Sequence, residues 1–102
     1  MTTEQSGQIL FKTTGESSIF FIGNAESPDA YLSFRHKDNN TIVAEHTVVS
    51  EALRGKGIAG KLTQKLMEYA RENSLKIIPL CSYVVGFFEK HNEFKDLLAQ
   101  NH

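Results

Sequence analysis

The ten residues LRGKGIAGKL, Leu53 to Leu62, hold the residue types that bind phosphate: Gly55, Gly57 and Gly60, with Arg54, Lys56 and Lys61 among them. Glycine lets an anion approach the main chain, and the cations neutralise it. Three spacings are met or nearly met. Gly55, Gly57 and Gly60 spell G-x-G-x-x-G, the dinucleotide fingerprint. Gly55, Gly60 and Lys61 spell G-x-x-x-x-G-K, one residue short of the phosphate loop. Arg54, Gly57 and Ala59 spell R-x-x-G-x-A, a pyrophosphate-binding signature of a third kind.

Chemistry separates them. A phosphate loop needs a hydroxyl on Mg²⁺ at the position of Leu62, and a methyl-tipped side chain ligates no metal. The dinucleotide site needs an acid about 20 residues on, at the end of the next strand, to grip a ribose. That strand here ends at Leu80-Cys81 without Asp or Glu, and the preceding SEALR is too long for the tight turn. The third pattern needs only a strand, then glycines opening a helix. Free backbone N–H groups and the positive end of the helix dipole then form an anion site. Three glycines in such a place cost helix stability, which a solvated helix start alone does not explain.

A second set of reactive types is His46 and Cys81. Histidine titrates near neutrality and accepts a proton, and an adjacent imidazole lowers a thiol pKa and makes it a nucleophile. On adjacent strands, the pair would face one cleft. A lone cysteine is equally a small buried hydrophobe, and a strand histidine is often simply hydrogen-bonded. Glu45 and Glu51 are lesser candidates for a base. His36, His91 and His102 lack ligand spacing, so no metal site is expected.

The elements that must position these groups are legible from periodicity. Gln8 to Thr13 and Ser18 to Ile22 are β-favouring runs joined by Thr-Gly-Glu-Ser, a hairpin. Ala30 to His36 alternates, with Leu32 and Phe34 on one face and Tyr31, Ser33 and Arg35 on the other. After the turn at Asp38-Asn39-Asn40, Thr41 to Val49 is a fourth strand. From Ile58 to Asn73 the period changes: Ile58, Ala59, Leu62, Leu66, Met67 and Ala70 form a helical stripe, with Asn73 as C-cap. Leu75 to Leu80 is a fifth strand, and Ser82 caps a second helix carrying Val84, Val85, Phe87 and Phe88. The C-terminal EKHNEFKDLL reads as a capped surface helix. Strand, helix and strand make a βαβ unit with parallel strands. The expected class is α+β, a mostly antiparallel mixed sheet with a C-terminal parallel unit and two main helices.

The whole chain sets the frame. Its 102 residues predict one domain over 1–102, with one core. A net charge of −1 argues against nucleic acid as partner. No apolar run reaches a membrane span, and MTTEQSGQ lacks a signal-peptide layout, so a cytoplasmic protein without membrane contact is expected. One cysteine excludes an internal disulfide.

The stretch from Glu45 to Phe94 resembles the GNAT superfamily of N-acetyltransferases, and within it the small single-domain YjdJ-type branch. The resemblance is carried by His46-Thr47-Val48, the Arg54/Gly57/Ala59 loop, Ile78-Pro79-Leu80-Cys81-Ser82 and Phe87 to Phe94. It implies an acetyl-CoA-dependent transferase acting on a small-molecule or protein amine; the oligomeric state stays open, with a monomer favoured. Val49, Arg54, Gly55, Lys56, Gly57, Ile58, Ala59, Gly60 and Lys61 would hold the coenzyme, and its pantetheine arm would lie between splayed fourth and fifth strands. A backbone N–H near Val48 would polarise the thioester, with Cys81 and His46 catalytic. Pro79, lacking an N–H, suits a strand that stops pairing there.

The chain departs from larger family members in two respects. The helices they insert between the first two strands are missing, which removes an acceptor-binding wall. Their thiolate-protonating tyrosine corresponds to Phe88, leaving Tyr83, Cys81 or water for that task. Two other functions therefore stand beside transfer: a non-catalytic coenzyme A-binding module and a cysteine-dependent acyl hydrolase.

Overall fold

The computed structural model describes residues 8–99. The signal-peptide expectation at the first residues and His102 lie outside them. Strands β1 (Leu10–Thr14), β2 (Ser17–Asn24), β3 (Ser27–Asp38), β4 (Thr41–Val49) and β5 (Lys76–Pro79) form one sheet in the order β1-β2-β3-β4-β5. The first four are an antiparallel meander, and β4 and β5 run parallel. Helix α1 (Ile58–Glu72) makes the crossover, and α2 (Ser82–Lys90) follows β5. This is the expected α+β arrangement.

One face of the sheet carries the main core. Leu32, Phe34, Ile42, Ala44 and Ile77 are fully buried there against Leu62, Leu66, Met67 and Ala70 of α1 and Val84 of α2. The helical stripe read from the sequence is the buried one except for Ala59, which is half-buried, and with one addition. Thr63 is fully buried although polar, because its hydroxyl donates to the Ala59 carbonyl at 2.8 Å one turn back. On the opposite face Val43, Ile78 and Ala99 make a smaller cluster.

Two local expectations are corrected. Cys81, not Ser82, occupies the N-cap position of α2, in extended backbone. EKHNEFKDLL is not a single helix: α2 stops at Lys90, and Asn92–Leu97 forms a 3₁₀ helix. The break returns the chain to β5, where the Ala99 N–H donates to the Ile77 carbonyl at 2.8 Å and partly covers a free sheet edge. β4 also does not alternate evenly. Ser33 pairs with His46 but Phe34 pairs with Ala44, so Glu45 is the extra residue of a β-bulge.

Two substitutions test this packing by urea unfolding. Leu66→Ala empties a fully buried site and is expected to cost about 2–5 kcal/mol. Gly86 lies inside α2, and a Cβ there would meet nothing within 4 Å. Gly86→Ala is therefore expected to stabilise the fold by about 0.5–1 kcal/mol.

Candidate functional site

The bulge and Pro79 act at the same level of the sheet. β4 and β5 pair from Thr41↔Lys76 to Ala44↔Pro79, and the last bond runs from the Leu80 N–H to the Ala44 carbonyl at 3.0 Å. Beyond it β5 is finished, while β4 continues from Glu45 to Val49 paired only with β3. The strands part there and leave a cleft. Pro79, with no N–H to give, is the last residue of β5.

The extra residue also resets the phase of β4. Thr47 pairs with Leu32, whose side chain faces the main core, whereas His46 pairs with Ser33 on the opposite face. Val49 packs on the main core, and Val48 is exposed. Main-chain direction follows the same phase. The Ser50 N–H turns toward β3 and donates to the Asp29 carbonyl at 2.8 Å. Alternation then gives the Val48 N–H to β3 and turns those of Thr47 and Val49 toward the cleft.

Cys81 sits at the cleft floor. Its Sγ lies 3.4 Å from the Thr47 hydroxyl, which it reaches as donor when protonated. Burial raises the thiol pKa, but the Thr47 hydroxyl and the backbone N–H groups of Val84, Tyr83 and Thr47 outweigh it, and the net direction is downward. Two of those N–H groups belong to the first turn of α2, where a helix stabilises negative charge. The sequence placed His46 in this role. The bulge turns His46 to the other face, exposed to solvent, and Thr47 takes its place beside the sulfur.

The glycine loop lies at the same end. After β4 a short 3₁₀ helix, Glu51–Leu53, leads to Arg54, whose Nε donates to the Val49 carbonyl at 3.2 Å and ties the loop to the strand. Gly55 and Gly57 have φ of 83° and 73°, a region costly for residues with a Cβ. Gly57 is the N-cap of α1 and offers no side-chain cap. The first helical bond is Lys61 N–H to Gly57 carbonyl at 3.1 Å, so the N–H groups of Ile58, Ala59 and Gly60 have no partner within the helix. The Ile58 side chain is buried, while Lys56 and Lys61 stay in solvent.

A cavity of about 250 Å³ opens over this turn, lined by Val49, Leu53, Arg54, Gly55, Gly57, Ile58, Ala59, Gly60 and Tyr83. It includes seven of the nine residues expected to hold the coenzyme; Lys56 and Lys61 are not among its walls. A cavity of about 290 Å³ continues along α2 past Gly86, Phe87, Lys90 and His91, sharing Gly60 and Tyr83. A larger one, about 600 Å³, lies at the β1–β2 turn and contains none of the expected site residues. Leu62 is fully buried, which removes it from any metal site, and Phe88 is core. Tyr83, which sequence left as one of three proton donors, is exposed between the two loop-side cavities. Thr47 is the site residue that sequence missed; without the bulge its side chain faces away from Cys81. Among the described residues no group of three or more His, Cys, Asp or Glu could hold a metal ion.

An antiparallel meander closed by a parallel βαβ unit, with parted strands beside an uncapped glycine-opened helix, defines the class of this α+β protein. The chain belongs to the GCN5-related N-acetyltransferase family, whose model matches residues 19–97. It is 35% identical to a GCN5-like protein from Staphylococcus aureus solved by NMR, with TM-score 0.71, over 95% of this chain and 94% of that one. It is 31% identical over 62 residues to Protein NATD1 of Xenopus tropicalis, covering 61% of this chain and 57% of that protein's length. The fold alone is shared with a GNAT family acetyltransferase from Elizabethkingia anophelis with acetyl-CoA bound: 15% identity, TM-score 0.53, 63% of this chain and 42% of that one. The family implies coenzyme A as the group for this loop, and the residues fit it. A Cβ at Gly55 or Gly57 would meet nothing within 4 Å, so the main chain is open to a diphosphate.

The thiol gives a direct test. With its pKa lowered, the Cys81 thiolate persists to lower pH than an ordinary thiolate. The pH midpoint of iodoacetamide labelling is therefore expected below the usual thiol value of about 8.5. Thr47→Val removes the hydroxyl and is expected to raise that midpoint. His46→Gln is expected to leave it unchanged, and a rise in that variant would restore the histidine pairing.

Proposed function

We propose that this protein is an acetyl-CoA-dependent N-acetyltransferase of the small single-domain YjdJ-type branch, acting on an amine in the cytoplasm. The observation that carries the proposal is the open, uncapped start of α1 beside the cleft where β4 and β5 part. Bound acetyl-CoA supplies an acyl group activated as a thioester. The N–H groups of Ile58, Ala59 and Gly60 receive the diphosphate, with Arg54, Lys56 and Lys61 adding charge. The cavity along α2 takes the nucleotide end, and the cleft takes the pantetheine arm.

Within the cleft, the backbone N–H groups of Thr47 and Val49 bond the arm and polarise the acyl carbonyl. The oxyanion role thus passes from Val48 to its neighbours, because the bulge has changed which N–H groups face inward. Tyr83 sets its hydroxyl beside Gly60 at the diphosphate loop, so the proton for the departing thiolate, which Phe88 cannot give, comes from Cys81 or water. Cys81 lines the acyl end of the cleft. Its lowered pKa also supports a second reading, in which the thiolate accepts the acyl group before the amine does.

Binding and stability separate in Ala59→Glu. A carboxylate in the first turn complements the helix dipole and is expected to hold or raise stability by about 0.3–1 kcal/mol. The same charge repels the diphosphate, and calorimetric affinity for acetyl-CoA is expected to fall at least about tenfold, or 1.4 kcal/mol. Mg-ATP and NAD should bind the unaltered protein far more weakly than coenzyme A. Unchanged acetyl-CoA affinity in the variant removes the diphosphate from this loop, and equal affinity for Mg-ATP returns the phosphate-loop reading. Cys81→Ser divides the two mechanisms: direct transfer retains its specific activity, whereas an acyl-cysteine route loses it. Binding without turnover of any amine leaves a coenzyme A module, and acyl release to water alone leaves a hydrolase.

A further inference from the structure

The cavity of about 600 Å³ beside the β1–β2 turn lies at the end of the sheet away from the cleft. From Ala30, which pairs with Val49 beside the cleft, β3 runs about 20 Å before it reaches His36 in the cavity wall. The wall stands on the core face of the sheet. Thr13 pairs with Ser18 and Ser18 with Phe34, and the His36 ring lies 6.3 Å from that of Phe34. Tyr69 of α1 covers them, its ring 5.3 Å from Phe34 and stacked at 5.7 Å on Phe11, which is 46% exposed. Alternation calls for apolar residues at these inward positions, and one row away Phe20 and Leu32 supply them. Here the sequence supplies hydroxyls and an imidazole instead, and the space between sheet and helix stays open. Ser18 is only 4% exposed, so its hydroxyl is not there to meet bulk water. Core packing does not account for this choice, and a polar ligand does.

The polar groups come in pairs that each leave one O–H for a further acceptor. Thr13 Oγ1 and Ser18 Oγ are 3.1 Å apart; with buried Ser18 donating, Thr13 keeps its own proton. Tyr69 Oη and His36 Nε2 are 3.4 Å apart; with the imidazole N–H donating, the Tyr69 O–H is likewise available. Two O–H donors match the two oxygens of one carboxylate. Lys37 brings a positive charge to the wall, and Glu16 of the turn brings a negative one. Arg35 also reaches the wall, but its Nε is held by Glu45 at 2.7 Å. We propose that this cavity binds a free α-amino acid with an apolar side chain. Its carboxylate accepts from Thr13 and Tyr69 beside Lys37, its ammonium donates to Glu16, and its side chain lies against the exposed ring of Phe11. An anion without an ammonium is disfavoured by Glu16, and an amine without a carboxylate leaves Lys37 and both O–H groups unanswered. An amine held here is about 20 Å from the cleft, so the bound amino acid is a ligand and not the acetyl acceptor. The inference does not rest on the acetyltransferase reading.

Titration of the full chain with L-phenylalanine, followed by ¹⁵N-resolved NMR up to about 10 mM, tests this. The amides of Thr13, Gly15, Ser18 and His36 are expected to shift, and those of Gly55 to Gly60 to stay in place. Two matched compounds each lack one charge: 3-phenylpropionate has no ammonium, and phenethylamine has no carboxylate. Each is expected to bind at least about fivefold more weakly than L-phenylalanine. Tyr69→Phe keeps the stack on Phe11 and removes the O–H, and is expected to weaken L-phenylalanine about fivefold. Glu16→Gln, a change in an exposed turn, is expected to weaken L-phenylalanine by a similar factor and to strengthen 3-phenylpropionate. Absence of shifts at the cavity amides, or shifts confined to other residues, overturns the site. Affinity for 3-phenylpropionate or phenethylamine equal to or above that for L-phenylalanine overturns the amino acid as its ligand. Unchanged L-phenylalanine affinity in both variants overturns the proposed contacts.

Discussion

The parting of β4 from β5 is the constraint on which the site depends. A parallel pair extended to the end of β4 would satisfy every N–H along it and leave no room between the strands. Two features stop it after Ala44↔Pro79: a proline with no N–H to continue the ladder, and the extra residue Glu45 in the partner strand. Main-chain groups freed by this are tolerated because they line an opening where a ligand's amides can bond to them. The cleft is therefore a region where the sheet's backbone bonding stops.

The bulge then decides which groups serve which side. A one-residue shift exchanges the two faces of a strand, and in β4 it does so midway. Thr47 and Val49 turn inward with Cys81, and His46 and Val48 turn outward with Ser33 and Tyr31. Cys81 gains a hydroxyl and a helix start as its electrostatic surroundings instead of an imidazole.

Much of the fold was legible because its signals are local. The α1 stripe follows from a 3.6-residue period, and the parallel β4–β5 pair follows from strand–helix–strand order. Arg54, Gly57 and Ala59 were legible too, since the spacing R-x-x-G-x-A is itself the geometry of a helix start. The misreadings share one cause. His46 was expected to face Cys81 because their strands are adjacent, and the N–H near Val48 was expected to face inward on the resemblance. A bulge at Glu45 leaves no mark in residue type. Likewise EKHNEFKDLL has helix-forming composition, but the gain from burying Leu97 and bonding Ala99 to Ile77 breaks it after Lys90.

The sequence by itself determined the order of elements, the core stripe of α1 and the glycine-opened start of that helix. Those depend on contacts between near neighbours along the chain. Tertiary structure decided where β4 and β5 separate, which partner Cys81 meets, and which face receives His46. Each of these depends on register between strands, and register is set by pairings such as Ser33↔His46 between residues far apart in the chain. No local preference of the residues concerned encodes it. The physical reason is the two-residue period of a strand: one unpaired residue inverts every side chain and N–H that follows it, while the types of those residues stay the same.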